Sequence, residues 1–280
     1  MSRPPTFTPP PCARATTLRT ERGDFAVLDA RPEGPVTATA LLLPGFTGSK
    51  EDFIAMLKPL TDSGYRAVAI DGRGQYETPG PDSPGAYTQD ALARDVLAQA
   101  AAVDAGPVHL LGHSLGGQIS RAAVLLDPEP FRTLTLLSSG PARVTLDQRE
   151  KVRLLSDALS VMGMDQVWDA MKALDPPEEA ETDGAGLRAR WLRHHPLQLT
   201  TTGHQLTVEP DRVEELAALR ALPKHVVSGE RDDTWPLPLL DAMAERLGAD
   251  RTVIAGAEHS PNTDRPVKTS AAVSAFWDRH

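Results

Sequence analysis

The chain has 280 residues, of which 40% are hydrophobic and 24% are charged, and its formal net charge is -9. This composition is ordinary for a globular protein with a substantial core, and the length suits a single α/β core that carries an insertion. The negative charge argues against binding to nucleic acid or to an anionic membrane, and the single cysteine, Cys12, excludes an internal disulfide and a cysteine-based zinc site.

The N-terminal stretch is rich in proline, as in PPTFTPPPCARA, and predicts a flexible lead-in at 1–20. It lacks the apolar region of a signal peptide. No window of the chain approaches the run of about eighteen apolar residues that a membrane-spanning helix needs. We therefore expect a cytoplasmic protein without a membrane span.

Short β-rich runs then alternate with longer helical patterns, which is typical of βαβ units around a mostly parallel sheet. The predicted strands are 24–30, 37–43, 65–71, 107–112, 131–139, 223–229 and 251–256. The predicted helices are 51–64, 88–106, 114–127, 236–248 and a last helix that runs to His280.

The alternation stops between the strands 131–139 and 223–229. From 144 to 222 the pattern is helical with loop breaks and contains no convincing strand. The acidic stretch 175–184 within it is interpreted as a solvated loop. We therefore predict a core domain formed by 1–143 and 223–280, with a helical insertion at 144–222.

A glycine-rich stretch joins the predicted strand 107–112 to the helix that follows it. It reads GHSLG, with Ser114 at its centre, and matches the pattern G-x-S-x-G. At a tight strand-to-helix turn, Gly112 and Gly116 relieve clashes with the backbone and leave the serine hydroxyl exposed at the sheet edge. Ser114 is therefore the candidate nucleophile, and the alternative is that it only caps the helix.

A serine hydroxyl near neutral pH needs a base that removes its proton. The adjacent His113 is a poor choice because consecutive side chains diverge at such a turn, so we expect it to be packed or hydrogen-bonded elsewhere. His259 follows the predicted strand 251–256, at the edge where ligands bind in open α/β sheets. His259 is therefore the candidate base, with an exposed loop histidine as the alternative interpretation.

A third group should orient the imidazole and stabilise its charged form. The stretch VVSGERDDTWP follows the predicted strand 223–229 and provides two acids, Asp232 and Asp233. The stretch LLSSGPA, at the end of the strand 131–139, carries no acid. The acid is therefore expected after the later strand, and its spacing from Ser114 does not decide between the two aspartates.

Five stretches of the chain occur in an order that is typical of one family. They are LLLPGFTGS, AIDGRGQYET, LLGHSLGGQ, GERDDTWP and GAEHSPN. With them the chain resembles the α/β-hydrolase superfamily of esterase-like and lipase-like serine hydrolases from about residue 23 to the C-terminus. The resemblance implies an α/β fold with a mostly parallel sheet flanked by helices, and a helical cap inserted at 144–222. Pro44 departs from the family, which commonly has histidine there, and GRGQYET departs from the more usual G-x-G-x-S ending of its loop.

The resemblance also implies roles for individual residues. The family pattern G-x-x-D-x-x-x-P places the acid at Asp232, with Asp233 as the alternative. The backbone N–H groups of Phe46 and Leu115 are implied as the two donors of an oxyanion hole. The resemblance implies no cofactor and no metal.

These features together predict a serine hydrolase that cleaves a carboxylic ester or related acyl compound through a triad of Ser114, His259 and Asp232. The expected partner is a small, partly apolar acyl substrate. Thioesterases, lactonases and C–C bond hydrolases use the same triad, whereas epoxide hydrolases are disfavoured because they need a carboxylate at the position of Ser114. A ligand-binding protein that keeps the fold without turnover is the alternative from another class.

Large apolar residues of the insertion have two interpretations: they line a substrate pocket, or they pack the helices of the insertion against each other. They are Met162, Met164, Trp168, Met171, Trp191 and Leu192. Trp235, three residues beyond Asp232, has the same two interpretations. Nothing in the sequence indicates the oligomeric state.

Overall fold

The computed structural model describes residues 1–173 and 184–280. The solvated loop predicted at 175–184 lies outside these ranges, except for Gly184. Every strand and helix predicted for the core has a counterpart, with ends that differ by a few residues. Within the described ranges, no helix combines the length and the apolar character that crossing a membrane requires.

One sheet of eight strands forms the centre of the molecule, in the order β1-β2-β4-β3-β5-β6-β7-β8. The strands are β1 (Ala13–Thr20), β2 (Gly23–Ala30), β3 (Ala38–Leu43), β4 (Tyr65–Ile70), β5 (Val108–His113), β6 (Phe131–Leu137), β7 (Lys224–Gly229) and β8 (Asp250–Ile254). Strand β2 pairs antiparallel with β1 and β4, and all other neighbours are parallel. This arrangement confirms the predicted mostly parallel α/β sheet.

Helices cover both faces of the sheet. In chain order they are α1 (Ile54–Asp62), α2 (Gln89–Val103), α3 (Leu115–Leu126), α4 (Leu146–Val161), α5 (Met164–Ala173), α6 (Gly184–Arg193), α7 (Pro196–Val208), α8 (Val213–Ala218), α9 (Leu237–Leu247), α10 (Pro261–Asp264) and α11 (Pro266–Trp277). Short 3₁₀ turns at Lys50–Phe53 and Pro84–Tyr87 precede α1 and α2.

The N-terminal region corrects one expectation. The predicted lead-in at 1–20 ends in a strand, because Ala13–Thr20 pairs with β2 over its whole length and forms one edge of the sheet. Most side chains of this strand are exposed, so the sequence lacks the alternation of apolar and polar residues that identifies a half-buried strand.

Two apolar layers enclose the sheet, because successive side chains of a strand point to opposite faces. Leu41 and Leu110 lie in the layer that α2, α3 and α9 cover. Leu42 and Leu111 lie in the layer that α1 and α11 cover. The strands of the parallel part therefore read as continuous apolar runs, which is why they were recognisable in the sequence.

The segment between β6 and β7 contains α4 to α8, and its described residues form no strand. It has an apolar cluster of its own. The buried members are Val167, Trp168, Leu187, Trp191 and Leu199, with Met162, Met164, Met171 and Leu192 packed against them. The large apolar residues that the sequence singled out therefore pack the helices of this segment together.

Buried ion pairs fasten this segment to the core. Arg190 of α6 is fully buried and donates to Asp52 Oδ1 over 2.6 Å. Glu209, just after α7, accepts a hydrogen bond of 2.5 Å from the buried Arg121 of α3. A buried charge without its partner is strongly destabilising, so both contacts restrict how the segment sits on the sheet.

Four buried histidines predict acid sensitivity of the fold. Burial lowers the pKa of His109 to about 3 and the pKa values of His113, His194 and His225 to about 4, from the ordinary 6.5. Between pH 6.5 and 4 the unfolded chain therefore binds more protons than the folded one, and stability falls as the pH falls. Burial raises the pKa of Asp71 to about 7, so in this pH range the folded state binds one proton there that the unfolded chain does not. This proton offsets the contribution of one histidine.

We expect the free energy of unfolding, measured by urea denaturation, to decrease from pH 6.5 to 4. Each extra proton bound by the unfolded chain adds about 1.4 kcal/mol per pH unit to the slope. His225→Gln should reduce the slope by about one proton. A stability that is flat across this pH range would contradict the expectation.

Candidate active site

Ser114 lies in the turn between β5 and α3, at the carboxyl edge of the parallel strands. Its backbone has φ 52° and ψ -119°, a conformation that residues with a side chain rarely adopt. A Cβ on Gly112 would lie 2.3 Å from the Gly116 carbonyl oxygen, and one on Gly116 would lie 2.5 Å from the carbonyl oxygens of Leu43 and Pro44. Both glycines are therefore required by backbone contacts, as the sequence pattern predicted.

His259 lies in the loop after β8 and contacts both of its predicted neighbours. Its Nε2 is 3.1 Å from Ser114 Oγ, and its Nδ1 is 2.9 Å from Asp232 Oδ1. With Nδ1 protonated and donating to the carboxylate, Nε2 is free to accept the hydroxyl proton of Ser114. The structure thus brings Ser114, His259 and Asp232 together from three different strand ends.

Asp232 follows β7, and its carboxylate is fully buried. Burial raises the pKa of this carboxyl, but hydrogen bonds from His259 and from the backbone N–H groups of Thr234 and Trp235 outweigh it, so the pKa lies below its ordinary value. Asp232 is therefore ionised at neutral pH. The same backbone donors hold Oδ1 against the imidazole.

The neighbouring Asp233 points elsewhere. Its side chain is exposed, and it accepts hydrogen bonds from Gln148 of α4 over 3.2 Å and from Thr234 Oγ1 over 3.3 Å. The structure thus pairs the imidazole with Asp232, the residue that the family pattern favoured, and leaves Asp233 at the cavity surface.

His113 is buried behind the site, as expected. Its Nε2 donates to the backbone oxygen of His259 over 2.9 Å, and the two rings are 5.2 Å apart between centroids. Because burial lowers its pKa to about 4, His113 is neutral and carries its proton on the nitrogen that faces this carbonyl. His113 therefore supports the loop of His259, which confirms that it is hydrogen-bonded away from Ser114.

The loop that carries Phe46 passes directly beside Ser114. A Cβ on Gly45 would lie 3.3 Å from Ser114 Cβ. Gln75 donates from Nε2 to the Gly45 carbonyl oxygen over 2.8 Å, which directs the Phe46 N–H of the same planar peptide to the opposite side. Among the described residues, neither this N–H nor that of Leu115 has a hydrogen-bond acceptor.

Sequence reasoning missed the role of Gln75, which lies in the stretch GRGQYET that departs from the family pattern. The residue is buried, and its Oε1 accepts from the Gly72 N–H over 2.9 Å while its amide nitrogen holds Gly45. The departure of this stretch from the family pattern was the signal in the sequence that could have pointed to Gln75. The sequence does not reveal that Gln75 contacts a loop thirty residues earlier in the chain.

A cavity of about 660 Å³ lies next to Ser114 and His259. Its apolar lining residues include Phe46, Val144, Val152 and Leu206. Its charged lining residues are Arg3, Lys151, Asp233, Glu258 and Asp264. Trp235 is fully buried, donates from Nε1 to the Ala142 oxygen and does not line this cavity.

Within the described ranges, one group of potential metal ligands lies close together, with ligand atoms within 4.8 Å of one another: Asp232, Asp233 and His259. In this group Nδ1 of His259 is already bonded to Asp232. This hydrogen bond to Asp232 orients the imidazole.

Comparison with known proteins places the chain among enzymes of similar sequence. The model of the alpha/beta hydrolase fold family matches residues 41–266. A protein of Bacillus subtilis (strain 168), provisionally named a 2-succinyl-6-hydroxy-2,4-cyclohexadiene-1-carboxylate synthase, is 27% identical over 90% of this chain and 94% of its own. The pimeloyl-[acyl-carrier protein] methyl ester esterase of Aeromonas hydrophila is 30% identical over 78% of this chain and 87% of its own.

Solved structures share the fold at lower sequence identity. A thermophilic esterase from Thermogutta terrifontis superimposes with a TM-score of 0.75 at 21% identity, covering 95% of this chain and 99% of the esterase. At this identity the likeness concerns the fold alone. It agrees with the eight-stranded sheet and flanking helices described above.

Replacing Gly116 with alanine should disrupt the turn at Ser114, because the new Cβ would collide with two backbone oxygens that cannot move independently. We expect a loss of about 3 kcal/mol in the free energy of unfolding. Gly34→Ala is the control, since a Cβ there meets no atom within 4 Å, and its effect should be below about 0.5 kcal/mol. Equal stability of the two variants would contradict the steric argument.

Proposed function

The chain belongs to the α/β-hydrolase family, and from this premise we propose that it is a serine hydrolase that cleaves a carboxylic ester or a related acyl compound. The proposal is carried by the series of hydrogen bonds that runs from Asp232 through both ring nitrogens of His259 to Ser114 Oγ. Such a series activates a hydroxyl that would otherwise be a weak nucleophile.

In the first half of the reaction, Ser114 Oγ attacks the substrate carbonyl carbon while His259 Nε2 takes the hydroxyl proton. The ionised Asp232 holds the Nδ1 proton and stabilises the imidazolium that forms. His259 then gives its proton to the leaving alcohol, and the acyl group remains bonded to Ser114. The buried position of Asp232 makes this orientation persistent, since its carboxylate is also held by two backbone N–H groups.

The negative charge of the tetrahedral intermediate needs donors that are already in place. The N–H groups of Phe46 and Leu115 fill this role in the proposal. Leu115 follows Ser114 in the chain, Phe46 follows Gly45, which lies beside Ser114, and neither N–H has an acceptor in the described structure. A donor of this kind contributes about 3 kcal/mol to transition-state stabilisation. Gln75 would act through Gly45 by holding the Phe46 peptide in this orientation.

In the second half, water attacks the acyl-enzyme. His259 takes one proton from the water and returns it to Ser114 Oγ, which releases the carboxylic acid and restores the free enzyme. We propose that the helices of 144–222 act as the cap of this site, because residues of α4 and α7 line the cavity.

The choice of an ester rests on similarity to the Aeromonas hydrophila methyl ester esterase, which matches most of both chains. Thioesters, lactones and activated C–C bonds need the same nucleophile, base and oxyanion donors. A substrate panel that contains an ester, a thioester and a lactone, tested against wild type and Ser114→Ala, therefore identifies the preferred acyl compound.

Removing the nucleophile tests the proposal directly. A fluorophosphonate probe should label the wild type at Ser114, and Ser114→Ala should lose labelling and ester turnover, with a fall in kcat of up to roughly a millionfold. Ser63→Ala, at an exposed serine after α1, should behave as the wild type. Unchanged turnover in a folded Ser114→Ala protein would contradict the proposal, and small-molecule binding without labelling would favour a non-catalytic ligand-binding protein.

The two adjacent aspartates offer a matched pair of variants. Asp232→Asn should lower kcat about ten-thousandfold, because an amide does not keep the imidazole in the required tautomer. Asp233→Asn should change kcat less than about threefold, since Asp233 bonds Gln148 and not His259. The measurement is hydrolysis of p-nitrophenyl acetate at pH 8, and a comparable loss in both variants would contradict the assignment of the acid.

A further inference from the structure

Residues 1–3, the first part of the stretch 1–7, line the cavity beside the loop of His259. Met1, Ser2 and Arg3 contribute to the cavity surface, together with Glu258, Ser260 and Asp264 of the region that follows β8. The mechanism uses none of these N-terminal residues.

The first attachment of this stretch is to the loop that carries His259. Ser2 Oγ lies 3.2 Å from Ser260 Oγ, and Ser260 is the neighbour of His259 in the chain. The stretch 1–7 therefore contacts this loop at the residue next to His259.

The second attachment is to the insertion. Arg190 of α6 is fully buried and donates from Nη2 to the Ser2 backbone oxygen over 2.6 Å, while its Nη1 donates to Asp52. A buried guanidinium needs acceptors for its N–H groups, and the backbone of Ser2 provides one of them. The stretch is thus part of the contact between α6 and the core.

Apolar contacts hold the rest of the stretch. Pro4 is buried, and Phe7 packs against the apolar cluster of the insertion. The Phe7 ring also meets the Tyr76 ring edge to face, with centroids 6.3 Å apart. Contacts at residues 2, 4 and 7 therefore hold the stretch against the loop of His259 and the insertion.

We propose that residues 1–7 form a specificity-determining wall of the active site, with residues 1–3 at the cavity surface. This wall restricts the site to short or polar acyl or alcohol groups. This inference rests on the proposed function. Ser2 and Arg3 face a cavity that also contains Lys151, Glu258 and Asp264. A long alkyl chain that extends along this wall would displace water from charged groups, whereas a short or polar group leaves them hydrated.

The test compares kcat/KM for p-nitrophenyl acetate, butyrate and octanoate. The wild type should prefer acetate and butyrate. Both removal of residues 2–7 and Arg3→Ala should raise the octanoate-to-acetate ratio about tenfold, as expected if roughly two more methylene groups become buried. Thr8→Ala, at an exposed side chain just beyond the wall, should leave the ratio unchanged.

The shortened chain leaves Arg190 with one acceptor fewer. If that chain does not fold, the Arg3→Ala ratio decides the test. A ratio within twofold of the wild type in Arg3→Ala, with Ser114-dependent turnover intact, overturns the inference and leaves the proposed function standing. Absence of Ser114-dependent turnover of every ester in the wild type contradicts the proposed function itself and, with it, the size limit.

A second experiment measures the position of the wall without turnover. Ser2→Cys and Ser260→Cys are combined with Cys12→Ser, so that the introduced thiols are the only ones. Since the two hydroxyl oxygens are 3.2 Å apart, mild oxidation should form a disulfide, whose sulfur atoms lie about 2.05 Å apart, with loss of two hydrogens in the intact mass. Ser2→Cys paired with Ser63→Cys is the control that should not close, and failure of the first pair to close overturns the inference whatever the activity.

Discussion

The backbone of Ser114 adopts a conformation that costs about 1–3 kcal/mol, and much of the structure around it serves to hold that turn. Gly112 and Gly116 approach backbone atoms too closely for any side chain, and β3 passes within contact distance of α3. The turn places the hydroxyl at the carboxyl edge of the sheet. The loops that follow β7 and β8 begin at the same edge. The candidate site is thus a consequence of one sharp turn and of parallel strands that finish at the same edge.

Buried polar contacts position the loops that meet at this edge. His113 supports the backbone of His259, two backbone N–H groups fix Asp232, and Gln75 orients the peptide of Phe46. None of these contacts is exposed enough to be weakened greatly by water, so each orients its loop more firmly than a surface hydrogen bond would. The side chains of the candidate site are therefore held in place by contacts within the protein itself.

The insertion contributes to the site in a way that its composition did not suggest. Its tryptophans and methionines pack its own helices together. The cavity is lined instead by Val144, which precedes α4, and by residues of α4 and α7 that include Lys151 and Val152. Arg190 joins the insertion to Asp52 and to the N-terminal stretch through one buried guanidinium. The walls of the cavity consequently depend on each other.

The sequence by itself determined the alternation of strands and helices and the position of Ser114 at a glycine-flanked turn, because buried strands and steric limits at glycine leave direct local patterns. It also reduced the candidates for the base to His259 and those for the acid to two adjacent residues. Only the tertiary structure decided that Asp232 and not Asp233 meets the imidazole, since neighbouring side chains diverge in ways that spacing does not encode. The edge strand β1 and the contacts of residues 1–7 likewise required it, because mostly exposed segments carry no apolar periodicity and their partners lie far along the chain.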